Sequence, residues 1–93
     1  MLDTAFERVP ADAQGKVPTC YGFWCNSWPD NPGWKFVAMG IGHDVEYWTE
    51  FLRALAEVDP DMAVNIEHED ANYSCLDGLA LAAENLRAAA AKM

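Results

Sequence analysis

The run Met62-Ala63-Val64-Asn65-Ile66-Glu67-His68-Glu69-Asp70 turns abruptly from apolar side chains to a cluster of acids around one imidazole. In an extended strand successive side chains point to opposite faces, so Val64, Ile66 and His68 share one side while Asn65, Glu67 and Glu69 share the other. The apolar side packs on helices and the polar side is left for chemistry. A strand over 62–67 is expected, and Glu67 is the first candidate functional residue.

Both flanks of this run read as helices. Upstream, Asp44 suits an N-cap, and Val45, Trp48, Leu52, Leu55 and Val58 recur at helical spacing, with Glu46, Glu50, Arg53 and Glu57 mostly on the other side. The helix occupies 44–59, and Asp59-Pro60-Asp61 stops it. Downstream, Ser74-Cys75-Leu76-Asp77 has the capping-box pattern, and Leu76, Leu79, Ala80, Ala83, Leu86 and Ala90 follow at helical spacing. This second helix occupies 74–92, with Arg87 and Lys92 placed to suit the negative end of its dipole.

Residues 1–43 sustain neither a helical nor a strand period. Pro10, Pro18, Pro29 and Pro32, with Gly15, Gly22 and Gly33, interrupt any long element. Short extended pieces are expected at Tyr21 to Trp24 and Trp34 to Met39. So many aromatic residues in a long irregular segment indicate a covering loop rather than a linker. Gly40-Ile41-Gly42 lacks the third glycine and the preceding buried strand of a dinucleotide fingerprint, so its glycines are read as turn formers.

The composition narrows the partners. A chain of 93 residues suits one domain, and 52% apolar with 23% charged residues argues against wholesale disorder. With 15 acidic against 6 basic side chains, the formal charge of -9 opposes nucleic acid and anionic lipid. No apolar stretch approaches the roughly 20 residues of a membrane span, and the start of the chain resembles no secretory signal, so a cytoplasmic location is expected. Cys20, Cys25 and Cys75 are read as reduced thiols, because no second cysteine pair or ordered histidine pair completes a zinc pattern.

Several blocks together carry a family resemblance: Leu2-Asp3-Thr4; Trp34-Lys35-Phe36; Met39-Gly40-Ile41-Gly42-His43-Asp44; Trp48 with Phe51-Leu52; Asn65-Ile66-Glu67-His68-Glu69-Asp70; and Asp77-Gly78-Leu79. They resemble the carboxyl-terminal part of the sugar phosphate isomerase/epimerase family, whose members look like xylose-isomerase-type TIM barrels. The resemblance implies an α/β fold, the C-terminal fragment of a (β/α)8 barrel: a long loop after the seventh strand, the seventh helix, the eighth strand and the eighth helix. It implies that Glu67 is a ligand of a divalent metal (Mn, Mg, Co or Zn), on the side that strand parity already gives it. His43 and Trp34 are then candidate substrate-binding residues, with Trp24 able to stack on a sugar ring and His68 structural.

A whole barrel needs about 250 residues, and one carboxylate does not hold a catalytic divalent ion. The leading expectation is therefore a part of a metal-dependent sugar or sugar phosphate isomerase or epimerase, inactive alone, with its remaining ligands on a missing N-terminal barrel portion. The alternative is a small acidic binding or assembly module, either a homo-oligomer or a small subunit completing a partner's barrel. A third reading, a zinc domain built from Cys20, Cys25, His43 and His68, is the weakest.

Overall fold

The computed structural model describes residues 1–6, 13–15 and 33–93. Its elements are β1 (Asp3–Phe6), β2 (Trp34–Val37), α1 (Val45–Val58) and α2 (Cys75–Ala91). The chain divides into one unit of Met1–Ala5 with Phe36–Met93 and a second of Phe6–Lys35. In the second, the described residues include a turn at 13–15 in which Gly15 takes a φ of +77°. Among the described residues no helix is long and apolar enough to cross a membrane.

The expectation of a C-terminal (β/α)8 fragment is overturned. The sheet among the described residues is β1 paired with β2, two antiparallel strands. Both come from the stretch assigned to the long covering loop, whereas a barrel of that class is built from parallel strands alternating with helices. The segment 62–67 is not a strand. A strand needs neighbours for its backbone groups, and among the described residues the partner is Met1: Glu67 N donates to Met1 O at 2.8 Å, and the Met1 amino group donates to Asn65 O at 2.5 Å. The segment nevertheless alternates. Val64, Ile66 and His68 are half-buried and Asp70 is buried, while Ala63, Asn65, Glu67 and Glu69 are exposed.

Helix α1 begins where Asp44 accepts from Tyr47 N at 2.9 Å, satisfying a donor that the first turn leaves unpaired. Its inward face is Trp48, Thr49 and Leu52. Val58, at the end of the apolar stripe, is 78% exposed. Helix α2 begins where Ser74 accepts from Asp77 N at 3.1 Å.

The buried face of α2 is not the leucine stripe expected of it. Gly78, Ala82 and Ala89 are buried, whereas Leu76 and Leu79 point outward. Small residues let the helix come close to its neighbours: the His68 ring lies against Gly78, and Thr49 Oγ1 reaches the Ala89 carbonyl at 3.2 Å. Arg53 adds a bond to the Lys92 carbonyl at 2.9 Å, and Lys92 pairs with Glu46. Met39, Trp48, Leu52, Ala82 and Ala89 form the core, with Val64, Ile66 and Leu86 packed against it.

Two glycines shape the bend between β2 and α1. Gly40 has a φ of +95°, a conformation that side-chain-bearing residues rarely adopt. At Gly42 a Cβ would lie 2.0 Å from the Thr4 carbonyl oxygen, a backbone atom that cannot rotate away. Gly42→Ala should therefore lower stability by about 1–3 kcal/mol in urea unfolding; an unchanged midpoint would mean that this approach is looser than described.

Candidate functional site

The most connected polar group among the described residues is Asp3, at the start of β1, with a side chain that is 0% exposed. Its Oδ1 accepts from Thr4 N at 2.8 Å and lies 2.7 Å from His43 Nδ1. Its Oδ2 accepts from Gly40 N at 2.9 Å, His43 N at 3.0 Å, Gly42 N at 3.1 Å and, more weakly, Trp48 Nε1 at 3.4 Å. The bend after β2 aims its backbone N–H groups at one point because Gly40 turns the chain there. A single carboxylate thereby ties β1, the bend and α1 together.

Burial alone would raise the pKa of Asp3, but the hydrogen bonds from the His43 ring and from the His43, Gly40 and Thr4 backbone outweigh it. The group is held below its ordinary value of 3.8.

His43 is the last residue of the bend. Its Nδ1 edge is held by Asp3, its ring stacks on Tyr47 at 4.2 Å with an interplanar angle of 28°, and Trp48 meets it edge-on at 6.3 Å. About a third of the side chain, 34%, remains accessible. Among the described residues His43 is the imidazole oriented by a carboxylate, the pairing that fixes a ring for ligand contact or proton transfer.

Glu67 is exposed, its backbone N–H is fixed to Met1, and among the described residues its carboxylate enters no ion pair. Glu69 is exposed as well. Asp70 serves the fold, since its Oδ2 accepts from Ala38 N at 2.9 Å and its Oδ1 from Asn72 N at 2.8 Å, which anchors the end of the run. His68, expected as a satisfied structural residue, is packed in place with Nδ1 buried and unpartnered. Trp34 lies half-buried in β2.

Trp24, Cys20, Cys25 and the expected extended piece at 21–24 lie outside the described residues, and Cys75 is an exposed free thiol. Among the described residues no three His, Cys, Asp or Glu side chains gather as a metal site. An open apolar groove lined by Leu52, Leu55, Met62, Val64 and Met93 carries Asp59 as its one charged side chain, a poor setting for acid–base chemistry.

Sequence reasoning does not single out Asp3 for chemistry, since the groups that make it a hub lie 37 to 45 positions away. The one local trace is the Gly-x-Gly-His run, a row of backbone donors in need of an acceptor.

Because the folded-state pKa of Asp3 is depressed, its stabilisation is fully present above the unfolded carboxyl pKa and is lost as pH falls through the folded one. Urea unfolding of the wild type should weaken from about pH 4 downward. In Asp3→Asn this acid dependence should diminish, and stability at neutral pH should drop by on the order of 3 kcal/mol, since several buried donors lose a charged acceptor. An acid limb of undiminished slope in the variant would remove Asp3 from this role.

No family model and no solved structure matches this chain. Over 59 residues, 63% of the chain, it is 32% identical to an uncharacterized protein, YfiH, of Bacillus subtilis (strain 168), and the match covers 19% of that protein. The chain thus spans about a fifth of the length of this relative.

Proposed function

We propose that this chain is a contributing part of a divalent-metal-dependent sugar or sugar phosphate isomerase or epimerase. Glu67 supplies one carboxylate to the metal, and His43 faces the substrate. The observation that carries the reading is the presentation of Glu67: an exposed carboxylate, unpaired among the described residues, on a backbone pinned by Met1 on one side of the run and by packed Val64 and Ile66 on the other. The motif resemblance around residues 39–44 and 65–70 supports the same assignment.

Among the described residues no complete metal site gathers, so Glu67 is one ligand among several and the others lie outside the described residues. No catalytic step is assigned to the chain alone. What its own residues do is orient: Asp3 holds His43, and the packed side of 64–70 holds Glu67. The acidic composition and the odd number of cysteines suit a cytoplasmic setting with reduced thiols.

Mn²⁺, added to the isotopically labelled chain, tests the reading through paramagnetic broadening. Resonances around Glu67 should broaden first but only weakly, as one carboxylate without its fellow ligands allows, Glu67→Gln should remove that broadening, and purified chain should show no sugar isomerase turnover. Broadening centred on Asp59 and Asp61 and indifferent to Glu67→Gln would defeat the metal assignment, and turnover by the chain alone would defeat the claim that it needs more polypeptide.

One observation favours a second reading, an acidic assembly module without catalysis: Leu76 and Leu79, 79% and 44% exposed, lie three positions apart on the outer side of α2. On that reading sedimentation equilibrium finds a metal-indifferent homodimer that Leu76→Glu converts to monomer. A wild-type monomer would end it.

A further inference from the structure

We propose that His43 binds a hydroxyl group of a polyol ligand by accepting its proton in a hydrogen bond at Nε2, with Asp3 as the positioning residue that decides which ring nitrogen is free to accept. The ligand class rests on the sugar-directed function proposed above; the place of the ring proton rests on geometry alone.

The geometry begins at the carboxylate. Thr4, Gly40, Gly42 and His43 each point a backbone N–H at Asp3, one at Oδ1 and three at Oδ2. A backbone N–H can only donate, so four of them hold Asp3 as an ionised carboxylate, whose two oxygens only accept. His43 Nδ1, 2.7 Å from Oδ1, therefore brings the proton. A neutral imidazole protonated at Nδ1 carries its lone pair on Nε2.

The ring has little freedom to escape this arrangement. Its own backbone N–H is bonded to the same carboxylate, Tyr47 covers one face at 4.2 Å, and the Trp48 edge stands at 6.3 Å. Among the described residues no group bonds Nε2, and 34% of the side chain is open to solvent. The outcome is a fixed acceptor beside an aromatic ring, with Tyr47 itself 48% exposed.

An acceptor selects donors. A sugar hydroxyl donates without carrying charge, whereas a carboxylate offers only lone pairs and inorganic phosphate, which keeps a P–OH at neutral pH, is an anion that the formal charge of -9 repels. Tyr47 adds an apolar face suited to the C–H side of a sugar ring. For a sugar phosphate, His43 would meet the hydroxyl-bearing carbons and the phosphate would bind elsewhere.

Two-bond ¹H–¹⁵N correlation spectra of the histidine side chains of the 93-residue chain, with His43 assigned through a His68→Gln variant, test this. His43 should show the Nδ1-protonated pattern; D-fructose should shift its Nε2 nitrogen, inorganic phosphate should not, and His43→Gln should leave no fructose response in the Tyr47 ring. An Nε2-protonated pattern, an equal response to phosphate, or no response to fructose would each overturn the proposal. Since Asp3→Asn removes a fold-holding charge, the wild-type pattern decides the matter, and a folded Asp3→Asn should lose the Nδ1-protonated form. The Mn²⁺ titration separates the two proposals, because the fructose response is read without metal. A fructose response without Mn²⁺ binding would remove the metal-dependent function alone.

Discussion

A buried carboxylate is tolerated only where donors surround it, and that constraint organises this molecule. Asp3 draws hydrogen bonds from its own strand, from the bend at 40–43 and from Trp48 of α1, so three separate pieces of chain share one anion. The bend has its shape because its N–H groups must converge. His43 has its orientation because both its backbone and its ring are claimed by the same group.

A second anchor of the same kind lies at the other end of the run. Asp70 takes the Ala38 N–H at 2.9 Å, so the two ends of the stretch from 38 to 43 are each held by a buried acid. Between these anchors the apolar core of Met39, Trp48 and Leu52 against Ala82 and Ala89 fills the space beneath. Asn85 closes the set by donating to the Met39 carbonyl at 2.8 Å. Polar contacts set direction here, and the apolar contacts supply most of the burial.

Much of this is legible from local pattern. The helices begin at Asp44 and Ser74 because short polar side chains there reach back to N–H groups three residues on, a signal contained in four consecutive letters. The alternation along 63–70 is legible for the same reason, as parity needs no knowledge of neighbours. Strand pairing does need neighbours. The 62–67 segment reads as a strand, yet the pairing strands among the described residues are Asp3–Phe6, too short to announce itself, and Trp34–Val37, which falls within the extended piece expected at Trp34 to Met39. The buried side of α2 is hidden by composition: with alanine at so many positions, apolar periodicity has little contrast, and close approach at Gly78 and Ala89 decides the face instead. The role of Asp3 cannot be read from its neighbours in sequence, because its partners belong to the bend and to α1.

The long separations at the Asp3 hub also bear on how the chain reaches its native state. Helical turns close within a few residues, whereas joining Asp3 to His43 closes a loop of 40 positions, whose entropy cost grows with the logarithm of its length. Such contacts form only after local structure can reward them. Until that loop closes, a chain with both helices formed still carries an undirected His43.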